Sequence, residues 1–199
     1  MRLKPVSTGI LAAALAGFAL MSEAALAQQA ADAAAAPPSP PEVKAVGDWQ
    51  VRCFAVKNGH PCDMFQEMAS KDSRQRLLSF SLAYDPSLDR HLMQITVPLD
   101  VSLQKGLTIQ TDNYTSPVLK FRMCTREGCF VQLAPENAMV EALAKSGPDA
   151  KLNIVADGNG KSYALQFSLK GFSAAHDDMV AQARAKAKPA AKTGAAAKP

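Results

Sequence analysis

Between residues 48 and 169, apolar and polar side chains repeatedly alternate with period two. In DWQVRCFAV (48–56), Trp49, Val51 and Cys53 fall on one face; in RLLSFSLAY (76–84), Leu78, Phe80 and Leu82 alternate against Ser79 and Ser81. HLMQITV (91–97), LTIQT (107–111), VLKFRMC (118–124), CFVQL (129–133), KLNIVA (151–156) and YALQFSL (163–169) continue the pattern. Alternation over such short runs predicts strands with one buried face. Asn58-Gly59 and Asp157-Gly158-Asn159-Gly160 tolerate the positive φ of tight hairpins, and Asp85-Pro86-Ser87 and Pro98-Leu99-Asp100 mark further turns. Two stretches read as helices instead. PENAMVEALAKSG (135–147) sets Met139, Val140 and Leu143 at helical spacing and ends at Gly147, a C-cap residue; SAAHDDMVAQARAKA (173–187) opens at Ser173, an N-cap residue. About eight short strands with one or two helices predict a mainly β domain, an antiparallel β-sandwich of immunoglobulin-like architecture. A closed barrel is the competing arrangement, and pattern alone does not order the strands.

The ends of the chain lack this alternation. Residues 1–27 carry Arg2 and Lys4, then an apolar run from Ile10 to Met21, then Ala25-Leu26-Ala27. That is the order of a secretory signal peptide, with cleavage after Ala27. The run is too short to span a bilayer, which takes about 20 residues, and no later run is longer. Residues 28–44 are rich in Ala and Pro and read as an extended linker. Residues 181–199 read as a disordered basic tail with Arg184, Lys186, Lys188, Lys192 and Lys198 and no acid. The part able to fold, 45–180, holds 14 Lys or Arg and 15 Asp or Glu, so the net charge of +4 belongs to the tail. A near-neutral domain gives no reason to expect nucleic acid as a partner. The five tail cations are candidate contacts for an anionic envelope polymer or surface.

All four cysteines, Cys53, Cys62, Cys124 and Cys129, lie in the domain. An even count in an exported chain predicts a disulfide framework. Cys124 ends one strand and Cys129 begins the next, with Gly128 able to take the left-handed position that closes the loop; facing hairpin residues lie about 4.5–5.5 Å apart at Cα, which suits a disulfide. Cys53 and Cys62 flank the Asn58-Gly59 turn, with a bulge at Pro61 to bring them opposite. Pairing of sequence neighbours is therefore expected, with crossed pairing as the alternative. Zinc is the sharper alternative, but its structural sites favour C-x₂₋₄-C pairs, whereas the first pair here is C-x₈-C. Redox pairs favour C-x-x-C at a helix N-terminus.

No catalytic, cofactor or metal residues are assigned. His60, His91 and His176 accompany no nucleophile or zinc motif. Asp85, Asp89, Asp100 and Asp112 sit in or beside turns, where carboxylates are ordinarily solvated. Met64, Met68, Met93 and Met123 read as core filler rather than a Cu(I) site, and Trp49 as a ring packed beside a disulfide.

Taken together, GDWQVRCF, Gln66 after the second cysteine, VPLDVSLQKGLTI, FRMCTREGC and FSLKGFSAA resemble the invasion-associated locus B proteins of alphaproteobacteria, over about residues 45–178. The resemblance implies an exported, non-enzymatic β-sandwich, linked in pathogenic members to entry into host cells, and brings no catalytic residues. The matching positions, Trp49, the four cysteines, Gly128, Gly171 and Phe172, are structural. The expected role is a protein- or surface-binding accessory module of the periplasm, with outer-membrane association or secretion as further locations. An unidentified envelope or host-surface protein is the expected partner. A structural envelope protein and a small-ligand or metal binder are the alternatives.

Overall fold

The computed structural model describes residues 39–55 and 59–187. Within them run β1 (Glu42–Val46), β2 (Trp49–Cys53), β3 (Cys62–Ala69), β4 (Arg76–Asp85), β5 (Arg90–Val97), β6 (Leu107–Gln110), β7 (Phe121–Thr125), β8 (Gly128–Leu133), α1 (Asn137–Lys145), β9 (Asp149–Val155), β10 (Ser162–Ser168) and α2 (Phe172–Lys186). Seven strands form one antiparallel sheet in the order β1-β2-β3-β4-β5-β8-β7, and three form a second in the order β10-β9-β6. The first five strands are a meander, each joined to the next by a short connection. Neither sheet closes on itself, so the expected sandwich forms, and the competing barrel does not.

The alternation read from sequence sets the core. Trp49, Val51, Cys53, Met64, Leu78, Phe80, Leu82, Met93, Ile95 and Val97 point to one face of the large sheet and are buried. Phe80 stacks on Phe167 of β10 at 5.7 Å, which joins the two sheets. Trp49 meets Phe80 at 5.4 Å and Phe172 at 5.2 Å, both edge to face, a geometry worth about 1 kcal/mol per pair beyond area burial. Cys53 lies four strand residues from Trp49, about 13 Å along β2, so the tryptophan packs among aromatic rings rather than beside the disulfide. Helix α2 buries Phe172, Ala175, Met179 and Ala183 as a single stripe across β1–β4. The two alanines let its backbone lie close to the sheet.

Several elements differ from the sequence reading, each for a physical reason. β1 takes in Glu42, Val43 and Lys44 of the expected linker. It is an exposed edge strand with no apolar row to reveal it. β3 went unread because its faces are not cleanly sorted: Phe65 and Asp63 face outward while Gln66 faces inward. α2 matches the helix read over 173–187, so residues 181–186 belong to it rather than to the tail expected from 181. Its N-cap is Gly171 at φ +80°, not Ser173. α1 ends at Ser146 rather than Gly147, whose N–H instead donates to the Asp112 carboxylate at 3.2 Å. The register of β2 on β3 is unbroken from Gln50–Phe65 to Cys53–Cys62, so no bulge forms at Pro61.

Candidate functional site

The sequence motifs converge on a structural knot. Gly47, between β1 and β2, crosses Gly171 so closely that a Cβ on Gly171 would stand 2.9 Å from the Gly47 Cα. Asp48 N–H donates to the Lys170 carbonyl at 3.1 Å. Gln66 bridges the two segments: its Nε2 donates to the Asp48 and Ser168 carbonyls at 3.0 and 3.2 Å, and its Oε1 accepts from Ser168 N–H at 3.1 Å. One buried amide thus satisfies three backbone groups that would otherwise be stranded. GDW, Gln66 and KGF hold the fold.

Both disulfides join sequence neighbours. Cys53–Cys62 and Cys124–Cys129 face each other across their hairpins with Cα atoms 4.2 and 4.0 Å apart. Gly128, at φ +136°, closes the second hairpin opposite Thr125; a Cβ there would collide with the Val97 carbonyl. Among the described residues no group of three or more His, Cys, Asp or Glu is arranged to hold a metal ion.

The outer face of the large sheet carries a groove of about 590 Å³. Its floor is β4, where the outward side chains Ser79, Ser81 and Ala83 are all small. One wall is built on β2 and β3. There Arg52 donates to Asp63 through Nε at 2.9 Å and Nη2 at 2.5 Å, and its guanidinium lies 3.7 Å from the Phe65 ring centroid. Ser81 Oγ donates to the same carboxylate at 2.8 Å. The other wall holds Gln94, whose Oε1 accepts from Gln132 Nε2 at 2.7 Å, and Arg122. The charges of Arg52 and Asp63 cancel, leaving a channel of mixed polar and apolar lining with the half-buried Phe65 ring on one wall and the Arg122 cation on the other. The sequence reading treated Ser79 and Ser81 only as the polar side of a strand. Three successive small outward residues were the available sign of a floor.

A second hollow, about 210 Å³, lies where α2 crosses the ends of β4 and β5. His91 and His176 meet there with Nε2 atoms 2.9 Å apart, although 85 residues separate them. His176 Nδ1 lies 3.1 Å from Asp177 Oδ1. The Tyr84 hydroxyl donates to Asp89 and accepts from Arg184 Nη2 at 2.8 Å. Burial and the adjacent His176 hold His91 below the usual histidine range, against the opposing pull of Asn137 and Asp89. His91 Nδ1 is nonetheless buried without a partner of hydrogen-bond geometry. Tyr84, Arg184 and His91 hold the Asp89 carboxylate below its usual range, with the hydroxyl contributing most. Of the other turn acids, Asp112 sits apart at Gly147. Asp85 accepts from Ser87 N and Oγ at 2.9 and 2.6 Å; burial pushes it up, but these bonds, Leu88 N–H and His60 outweigh that and lower it.

Two of the tail cations, Arg184 and Lys186, stand on an ordered helix rather than in a disordered tail. They lie on α2, Arg184 against Tyr84 and Asp89, and Lys186 2.8 Å from Glu42 Oε2. Lys44 and Asp178 form a parallel tie at 2.8 Å. Helix periodicity directs these side chains back onto the sheet. Lys188, Lys192 and Lys198 fall outside the described residues, as do the expected signal peptide and the expected linker through Pro38.

The fold and its staples define a class: a lopsided antiparallel sandwich, pinned by two hairpin disulfides and closed by a terminal helix. The family model described as invasion associated locus B protein matches residues 49–180, and the chain belongs to that family. Invasion protein B homologues from two Brucella abortus strains, 2308 and biovar 1 strain 9-941, are each 33% identical over 132 residues, 65% of this chain and 74% of theirs. The crystal structure of invasion associated protein B from Bartonella henselae superposes with a TM-score of 0.63 at 22% identity, covering 72% of this chain and 99% of that one. It corroborates the fold.

Proposed function

We propose that this protein is an exported, non-enzymatic component of the cell envelope that acts by contact, with the outer groove as its binding face and a protein as its partner. The observation that carries this reading is the groove itself: small residues along β4 between the Arg52–Phe65 wall and the Gln94–Gln132 wall. A channel on a stapled sheet presents fixed polar and aromatic groups at little ordering cost. Export is supported by the two disulfides, which persist in oxidising compartments, and by the signal-like order of residues 1–27. Among the described residues no helix is long and apolar enough to cross a membrane, which says nothing of a β-barrel. The non-enzymatic reading is supported by the His91 hollow, where the Asp89 carboxylate is engaged by Tyr84 and Arg184 and His91 Nε2 by His176. The Brucella relatives are named for invasion, and contact with a host-cell surface is the corresponding role here.

Site-specific photocrosslinking in the native envelope tests the assignment. A crosslinker replacing Gln94 is expected to trap a discrete partner, whereas one replacing Lys161, on the far hairpin, is not. Equal capture from both positions, or none from Gln94, overturns the groove as the binding face. Deleting 188–199 separates the groove from the tail cations, because association surviving the deletion does not depend on them.

A further inference from the structure

Both cystine bridges belong to the fold, but only one can be reached. Cys53 and Cys62 are 2% and 0% exposed, and α2 lies over them with Gln182 Oε1 3.3 Å from Cys53 Sγ. Cys124, by contrast, is exposed on β7, the last strand of its sheet, which pairs with β8 alone; its partner Cys129 is buried. We propose that Cys124–Cys129 is a thiol–disulfide exchange site, attacked at Cys124 by an external dithiol.

The reasoning is geometric first. Exchange needs the attacking sulfur roughly in line with the bond that breaks, and its rate depends on which sulfur is reachable. Cys129 is buried while Cys124 is exposed on the edge strand β7, so Cys124 is the sulfur an external thiolate reaches. Charge reinforces this. Arg122 and Arg126 flank Cys124 in sequence, are exposed, and have no acidic partner among the described residues. Cations beside a sulfur favour an approaching thiolate and the negative charge developed during exchange. The first pair has no comparable setting: its nearest arginine, Arg52, is spent on Asp63.

The steps balance. A thiolate of the dithiol bonds to Cys124 Sγ while the Cys124–Cys129 bond breaks, its electron pair leaving on Cys129 Sγ, which takes up a proton. The second thiolate of the dithiol then attacks its own sulfur in the mixed disulfide and releases Cys124 as a thiolate. The dithiol loses two electrons and the cysteine pair gains two. The fold survives the loss, since β8 stays paired to β5 from Met93–Leu133 to Val97–Cys129 and Arg76 Nη2 still donates to the Glu127 carbonyl at 2.8 Å. Reoxidation can therefore restore the same bond.

Full-length exported protein is treated with limiting dithiothreitol near neutral pH, quenched by alkylation at intervals and mapped by peptide mass spectrometry. Cys124 and Cys129 are expected to be labelled at least about tenfold faster than Cys53 and Cys62. Reduced glutathione, a monothiol that stops at the mixed disulfide, is expected to be found on Cys124. Arg122→Gln combined with Arg126→Gln is expected to slow exchange by roughly threefold or more with the fold intact by circular dichroism. Equal labelling of the two pairs, glutathione on Cys129, or a rate unmoved by the double arginine substitution would each overturn the proposal.

Discussion

Two hairpins in this molecule carry the same covalent device and live in different surroundings. Cys53–Cys62 lies beneath α2, in the half of the sandwich where the Gly47–Gly171 crossing, the Gln66 bridge and the aromatic cluster meet. Cys124–Cys129 lies at the opposite edge of the same sheet, with solvent on one side. Their local geometry hardly differs, at 4.2 and 4.0 Å between Cα atoms. What a cystine does is therefore set less by the turn it closes than by what the rest of the chain lays over it. The covered one has both sulfurs in the core, whereas the open one has a single sulfur there, Cys129, and leaves Cys124 at the surface.

Removing each bridge puts that contrast to the hardest test. Cys53→Ala with Cys62→Ala is expected to cost about 4 kcal/mol, of which 2–3 is lost chain restraint and the rest is packing. Cys124→Ala with Cys129→Ala loses the restraint, about 2 kcal/mol, and the packing of only one buried partner, Cys129, so the smaller loss is expected. Urea melts compare them, and equal losses would erase the distinction. Gly171→Ala comes next, at about 3 kcal/mol, because it sets a side chain at positive φ against the Gly47 backbone. Gln66→Ala removes three part-buried hydrogen bonds to the backbone and is expected to cost about 2 kcal/mol, with a lower thermal midpoint as the readout.

Acid should separate the two halves more gently. His91 titrates below the usual value near 6.5 in the folded chain, so the unfolded chain takes up its proton first. The sign follows: stability is full above about pH 6.5 and declines as pH falls from there toward the folded value. The groups facing His91 are His176 and Arg184 on α2, Tyr84 and Asp89 from the β4–β5 hairpin, and Asn137 and Glu141 on α1, with Asp177 behind His176 at its Nδ1. Hydrogen exchange at about pH 5 is expected to rise in α2 and not in β7–β8, and His91→Gln should flatten the response. An unchanged slope in that variant removes His91 as the cause. The smallest effect belongs to Arg184→Met. The Arg184–Asp89 pair is exposed, so a barely measurable loss is expected, and a thermal midpoint lowered as far as in Gln66→Ala would mean that α2 is docked chiefly by charge.

Much of the covered half was legible because period-two alternation is a local property. Trp49, Val51 and Cys53 announced β2, and Leu78, Phe80 and Leu82 announced β4, since each row must bury one face. The hairpin at Cys124–Cys129 was legible for the same reason, from five residues and a glycine. β3 was not: Gln66 faces inward and Phe65 outward, an inversion that makes sense only once the Asp48 and Ser168 carbonyls and the Arg52 guanidinium are in place. β1 was read as linker, and the helix read over 173–187 was given no place on the sheet, because the partners that tie them, Glu42 with Lys186 and Lys44 with Asp178, lie more than a hundred residues apart in the chain.

From the sequence alone came the strand periodicity, the turns, the neighbour pairing of the cysteines and the set of residues that mark the family. Those follow from interactions over a few residues. Only the tertiary structure brought His91 to His176, set three small side chains of β4 between two walls as a groove, and placed α2 over one cystine while leaving the other open. Such arrangements depend on which strands become neighbours and which lie at an edge, and backbone pairing across distant segments decides that after every local preference has been met.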